Sequence, residues 1–173
     1  MKILLMLLLL LGVAMLAFMN LGPEKLWNRL HQIEPLELST WPGRETPNWA
    51  LACPDTPDGS SFCKGAERTH TSATVKASTT DLLDWFVTYV AGDGKSAASV
   101  VTRDDERKKA RFQILSSGLK FPDIVDLEII DLGNGTASAA ILSQSLLGIE
   151  DFGVNSERVD AWLKAYSAEF PSK

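Results

Sequence analysis

The chain has 173 residues and a formal net charge of −5 at pH 7. This length leaves room for a single globular domain besides a short terminal segment. No stretch is strongly basic, which argues against nucleic acid as a partner, and the acidic balance mainly concerns solubility.

The N-terminal segment is apolar. Residues 3–21 carry no charge, and Asn20 is their one clearly polar side chain. As a helix they would extend about 28 Å, close to the roughly 30 Å hydrocarbon core of a membrane. A cleaved signal peptide is the alternative, but its best cleavage site, Gly12-Val13-Ala14, would leave a new terminus that is still apolar. The pattern favours residues 1–22 as an uncleaved membrane anchor, with residues 3–21 in contact with lipid.

Residues 23–46 are predicted to connect this anchor to one α+β domain over residues 47–173. Gly22-Pro23 would end the span. Apolar residues at helical spacing follow, and they would either lie at the membrane interface or pack on the domain: Leu26, Trp27, Leu30 and Ile33. Residues 35–47 have the composition of an irregular linker.

The two cysteines flank a turn-rich loop. Cys53 and Cys63 are separated by prolines, aspartates and a glycine. An even cysteine count behind an export-type segment is typical of a disulfide. A zinc site needs closer cysteine pairs and more ligands, and no C-x-x-C redox motif is present. The pattern predicts a Cys53–Cys63 disulfide and a single-pass protein of the bacterial inner membrane whose domain faces the periplasm.

The rest of the chain predicts the order β-α-β-β-β-β-α. Alternation over residues 69–77 indicates the first strand, and a helix from Ser78 to Gly92 follows it. Strands over residues 99–103, 110–115 and 124–132 follow. Gly133-Asn134-Gly135 then marks a hairpin turn into a strand over residues 137–145.

The last helix is predicted over residues 156–170, with Asn155 as its N-cap. Because short turns join the middle strands, they should form an antiparallel sheet of about five strands with both helices on one face. Asp126 and Glu128 would then share a solvent-exposed strand face.

The C-terminal part contains spaced serines, a glycine, Asp-x-Gly-x-Asn, an arginine and Trp-Leu in succession: Ser143, Ser145, Gly148, Asp151, Gly153, Asn155, Arg158, Trp162 and Leu163. In this it resembles the domain of unknown function 1499 family, which tends to finish with the same succession. The resemblance implies a small α+β domain, often found in envelope proteins, without established chemistry. Gln144 and Leu146 stand where the family tends to have arginines, so an anion-binding role is not carried over.

The order of elements also resembles a reduced helix-grip fold, in which a curved sheet wraps a long C-terminal helix. The space between sheet and helix in such folds often holds an apolar ligand. This resemblance implies a ligand site among the aromatic residues of the two helices: Trp85, Phe86, Tyr89, Trp162 and Tyr166.

Residues with catalytic potential are few. His70 lacks a G-x-S-x-G elbow around any serine, and a lone strand histidine is more often a surface residue. The acidic residues near Asp123 match no calcium loop. Gly133-Asn134-Gly135 lacks the lysine and helix of a phosphate loop. We therefore predict no catalytic residue, metal or cofactor.

Three functions stay open. The preferred hypothesis is a non-enzymatic, membrane-anchored envelope domain that binds an apolar small molecule, a lipid or a partner protein. The second is a structural accessory subunit of a membrane complex. The third is a hydrolase-like enzyme that uses His70 with a nearby serine, cysteine or carboxylate.

Overall fold

The computed structural model describes residues 6, 10–12, 34–92, 97–115, 121–146 and 150–171. Most of the predicted anchor over residues 3–21 lies outside these ranges, as do the predicted juxtamembrane stripe and Gly148. Among the described residues, no helix combines the length and apolarity needed to cross a bilayer.

The domain is α+β, with a seven-stranded mixed sheet. The described part of the domain contains the helices α1 (Thr79–Gly92) and α2 (Val154–Glu169). Its strands are β1 (Trp49–Cys53), β2 (His70–Thr71), β3 (Val75–Lys76), β4 (Ala97–Asp104), β5 (Lys109–Leu115), β6 (Pro122–Gly133) and β7 (Thr136–Ser145).

The strand order is β2-β1-β7-β6-β5-β4, and β3 pairs with one end of β7. β1 and β2 are parallel, and the other pairs are antiparallel. The prediction of about five antiparallel strands was therefore too low and missed the parallel pair. The prediction did not include β1 because four of the five residues of this strand are buried, so the strand shows no apolar–polar alternation.

The predicted strand over residues 69–77 is instead two short strands, β2 and β3. Between them the carbonyl of Ala73 accepts hydrogen bonds from the hydroxyls of Ser138 (2.7 Å) and Tyr166 (2.8 Å). These side-chain bonds take the place of a ladder partner at this position. The Asn134-Gly135 hairpin turn between β6 and β7 is confirmed, with positive φ angles of 54° and 72°.

Both faces of the sheet are covered. The two helices pack on one face, where the main core includes Phe86, Phe112 and Tyr166. On the other face a second core joins the predicted linker to the disulfide loop: Leu38, Trp41, Leu51, Cys53, Cys63, Ala140 and Leu142. The Cys53–Cys63 disulfide is present, with the two Cα atoms 6.0 Å apart, an ordinary distance for this bond.

This second layer corrects the prediction of a solvent-exposed face for Asp126 and Glu128. Asp126 is fully buried. The covering residues 36–38, here called the strap, place the Leu36 amide 3.2 Å from an Asp126 carboxylate oxygen and the Leu38 amide 3.3 Å from a Glu128 oxygen. The strap has no periodicity of its own, so its position could not be read from hydrophobic spacing.

Candidate functional site

The residues of the C-terminal motif meet in a polar cluster where α2 contacts β6 and β7. We call it the Asn155 network, and it comprises Asn48, Asp123, Ser143, Ser145, Asp151, Asn155 and Arg158.

Asn155 is the centre of the network, and it is fully buried. Its amide oxygen accepts hydrogen bonds from the Ser143 hydroxyl (2.6 Å) and from Arg158 (2.8 Å). Its amide nitrogen donates to the carboxylate of Asp151 (2.6 Å) and to the hydroxyl of Ser145 (3.0 Å). A buried amide with this many partners holds the first turn of α2 against the sheet.

A buried ion pair completes the network. A guanidinium nitrogen of Arg158 lies 2.7 Å from a carboxylate oxygen of Asp123, and their side chains are 12% and 10% exposed. The other Asp123 oxygen accepts the Ser145 hydroxyl at 2.7 Å. Arg158 also donates to the Ser143 hydroxyl at 2.7 Å. The pair therefore links α2 to the start of β6 and the end of β7.

Asn155 is not the N-cap of the last helix, which corrects the prediction. α2 begins at Val154, and Gly153 occupies the cap position with a φ of 85°. The Asp151 carboxylate instead accepts the backbone N–H groups of Gly153 and Asn155, both at 3.0 Å. Asp151 thus fixes the loop through backbone hydrogen bonds and leaves the Asn155 side chain to face the sheet.

The network has the properties of a structural element. Its serine hydroxyls and carboxylates are hydrogen-bonded to one another or to backbone. The described buried polar atoms without a partner lie elsewhere, on Ser61, Ser72 and Gln113. A nucleophile needs an adjacent base and access to substrate, and the serines of the network, Ser143 and Ser145, are buried. Its chemistry is the fastening of α2.

Of the five aromatic residues predicted to line a ligand site, Phe86, Trp162 and Tyr166 are buried in the main core, and Trp85 and Tyr89 are partly buried against it. The rings of Trp85 and Tyr89 stack at 4.7 Å. Phe86 lies 5.5 Å from Tyr166 and 6.2 Å from Trp162, measured between ring centroids. An apolar ligand at this place would have to displace rings that already contact one another. Their role as a ligand site stays a prediction.

Tyr166 shows how this aromatic cluster is held in place. Its ring is fully buried in the main core, and its hydroxyl donates to the Ala73 carbonyl. Burial raises the pKa of Tyr166 above its ordinary value. The phenol therefore remains a neutral donor at physiological pH, joining α2 to the segment between β2 and β3.

His70 lies between two hydroxyl groups. Its Nδ1 atom is 2.7 Å from the Thr69 hydroxyl and its Nε2 atom is 3.3 Å from the Ser156 hydroxyl in the first turn of α2. His70 and Ser156 are both partly exposed. Among the described residues no carboxylate bonds to the ring, so a hydroxyl occupies the place that a carboxylate takes in a catalytic triad.

An open groove of about 740 Å³ lies on the second face of the domain, and sequence reasoning missed it. We call it the Trp49 groove. It is lined by Pro42, Gly43, Arg44, Glu45, Trp49, Gly65, Ala66, Glu67, Arg68 and Thr69. This volume is in the range of small-ligand and peptide sites.

The walls of the Trp49 groove are fixed by specific contacts. The Trp49 indole N–H donates to the Arg44 carbonyl at 3.2 Å, and the ring packs edge-on against Trp41 at 5.0 Å. Arg44 in turn donates to the Ser145 carbonyl at 3.1 Å. Arg68 forms an ion pair with Asp55 at 2.6 Å. The available signal was a pair of large aromatics, Trp41 inside the stretch with the composition of a linker and Trp49 two residues after it.

Gly65 allows the two walls of the Trp49 groove, residues 42–45 and 65–69, to approach each other. A Cβ atom at this position would overlap the backbone carbonyl oxygens of Thr40 and Trp41. The Lys64 N–H donates to the Ser39 carbonyl at 2.9 Å beside it. The close approach of two backbones thus requires glycine here.

Buried charges lie beneath the strap. Arg111 contacts both carboxylate oxygens of Asp126, at 2.8 and 2.9 Å. Lys109 lies 3.4 Å from Glu128 and 2.6 Å from Glu37. Burial raises the pKa of Glu128 above its ordinary value, although the nearby Lys109 opposes that shift. Arg111 and Lys109 thus balance the charges of Asp126 and Glu128. The same two carboxylates hold the strap, because they accept its backbone amides.

Comparison with protein-family models, with curated proteins and with solved structures finds no match to this chain. The resemblance to the domain of unknown function 1499 family stays a prediction.

Proposed function

We propose that the chain is a non-enzymatic, membrane-anchored envelope domain that binds a partner protein in the Trp49 groove. The observation that carries this proposal is the groove itself, an open and preformed concavity with an indole ring in its wall. Tryptophan and arginine are the residue types that most often dominate the energy of protein interfaces.

The charges around the groove indicate the kind of partner. Arg44 and Arg68 lie in the same lining as Glu45 and Glu67. A groove with both signs of charge suits a peptide segment that carries acidic and basic side chains around an apolar anchor residue. A purely apolar molecule would desolvate these charged groups without offering them a hydrogen bond in return.

Two features support the envelope location in this proposal. Residues 3–21 have the length and composition of a membrane anchor. The Cys53–Cys63 disulfide joins β1 to the segment that precedes the groove wall, and structural disulfides persist in oxidising compartments such as the periplasm. The mutual contacts of the aromatic cluster favour partner binding over the ligand-binding form of the hypothesis.

A photo-crosslinking experiment tests the proposal on the full chain in its native membrane. A photoreactive amino acid would replace Glu67, in the groove lining, or Lys164, an exposed residue of α2. We expect a discrete crosslinked protein from position 67 and none from position 164. An additional Trp49→Ser change should remove the crosslink while the disulfide still forms. Identical crosslinking from both positions would refute the proposal.

The contact between His70 and Ser156 favours one second candidate, a serine hydrolase. In that function Ser156 would be the nucleophile and His70 its base. A fluorophosphonate probe on the full chain should then label Ser156, and His70→Ala should abolish the labelling. Absence of labelling in the unmodified chain would exclude this candidate.

A further inference from the structure

The loop before α2 presents an apolar side chain to solvent on a fixed backbone. Phe152 is 91% exposed, and its φ angle of 54° lies in the left-handed region, which costs energy for a bulky residue. Its neighbour Val154 is 46% exposed. The hydrogen bonds from Gly153 and Asn155 to the Asp151 carboxylate hold this backbone in place. The strain is therefore maintained by surrounding structure, with the ring pointing outward.

The position of this loop in the fold is informative. It follows the end of β7, where Ser145 pairs with Asp123 at the start of β6. The strap runs along β6, with Leu36 at Asp126 and Leu38 at Glu128. Followed backwards, the strap heads towards the start of β6. The chain that arrives from the apolar N-terminal segment thus reaches the domain at the end that carries Phe152.

We propose that this end of the domain rests on the lipid bilayer, with the side chains of Phe152 and Val154 in the headgroup region. The inference depends on the membrane anchorage in the proposed function. Residues 22–33 separate the apolar segment from the described domain and reach about 40 Å at full extension. The end of the domain that carries Phe152 is therefore the end nearest to the apolar segment along the chain. Aromatic side chains are favoured at the bilayer interface, where an exposed ring leaves water.

The described charges at this end indicate that the contact is mainly apolar. Arg44 is exposed beside Ser145, and the exposed Glu45 follows it in the chain. Glu150 and Glu157 are exposed within five residues of Phe152. Mixed charges of this kind give little net attraction to anionic lipid. Docking should therefore occur on zwitterionic membranes and persist at high salt.

Lipid-quenching fluorescence on the full chain tests this inference. The chain would be reconstituted in phosphatidylcholine vesicles that carry spin-labelled lipid in both leaflets. A single new cysteine would be labelled with an environment-sensitive fluorophore, either as Phe152→Cys or as Glu106→Cys. Glu106 is exposed in the β4–β5 turn, at the opposite end of the sheet. The oxidised Cys53–Cys63 pair leaves no other thiol.

We expect quenching at position 152 to exceed that at position 106 several-fold, at low salt and in 1 M KCl alike. Flotation of the vesicles separates the two proposals. A chain that does not float with the vesicles lacks the anchor, which overturns the proposed function and the docking with it. A chain that floats but shows equal quenching at both positions overturns the docking alone.

Discussion

Replacement of Arg158 by methionine tests whether the Asn155 network fastens α2 to the sheet. The change leaves Asp123 as a nearly buried carboxylate whose one remaining side-chain bond among the described residues comes from Ser145. It also removes one donor each from Ser143 and Asn155. Removal of one member of a buried ion pair costs about 3–5 kcal/mol. Because the pair is not fully buried, we expect a loss of about 3 kcal/mol in the free energy of unfolding.

Urea unfolding of the full chain in non-ionic detergent, followed by circular dichroism, measures this loss. With an m-value of about 2 kcal/mol/M, the midpoint should fall by roughly 1.5 M. Lys164→Met is the matched control, because Lys164 pairs on the same helix with Asp160 but is 75% exposed. Such a surface pair contributes less than about 1 kcal/mol.

A double-mutant cycle isolates the interaction between Arg158 and Asp123. Asp123→Asn removes the charge and keeps a partner for Ser145, so Arg158→Met should cost about 2 kcal/mol less in that background. Equal midpoints for Arg158→Met and Lys164→Met would show that the network does not fasten the helix. A cycle without coupling would show that the ion pair is not the source of the stability.

Three further changes test other parts of the fold. Gly65→Ala should lower the free energy of unfolding by about 1–3 kcal/mol because the new Cβ meets backbone that must move. Gly92→Ala, with open space around it, should leave the urea midpoint nearly unchanged, and similar midpoints for the two variants would contradict the steric argument. Reduction of Cys53–Cys63, with a sequence separation of 10, should cost roughly 3 kcal/mol in the entropic model, and a midpoint unaffected by reductant would contradict it. Burial raises the pKa of Glu128 above 4.5, so the folded chain binds this proton more tightly than the unfolded chain, and the contribution of Glu128 to stability falls as pH rises from 4.5 through the raised pKa. Glu128→Gln should flatten that fall in a pH series of urea midpoints, and an unchanged slope would contradict the role given to Glu128.

The parts of the fold with periodic sequence were predictable. The positions of both helices, the β6–β7 hairpin and the disulfide follow from spacing and turn chemistry that act locally. β1 was missed because a strand buried on both faces lacks alternation. The burial of Asp126 was missed because it depends on the strap, which lies 90 residues away in the chain. Long-range coverage of this kind leaves no local signal.

The candidate sites divide in the same way. The motif residues were recognised as a group, but their pattern could not show that Asn155 faces inward, because that orientation depends on Asp151 taking over the backbone donors. The Trp49 groove depends on the meeting of residues 42–45 with residues 65–69. Gly65 permits that meeting, yet a lone glycine in a loop has many explanations.

The Asn155 network is joined by hydrogen bonds to the loop that carries the exposed Phe152. One carboxylate, that of Asp151, accepts the backbone N–H of Gly153 next to Phe152 and the side-chain amide of Asn155 in the buried network. The energy that holds Phe152 in its strained conformation therefore comes from the contacts that fasten α2 to the sheet. A chain that needed only a stable helix start could use a capping serine or aspartate without this strain. The buried network thereby fixes the backbone that carries the exposed Phe152 ring. A contact residue on a fixed backbone loses less entropy on binding than one on a flexible loop, so this arrangement suits a contact surface.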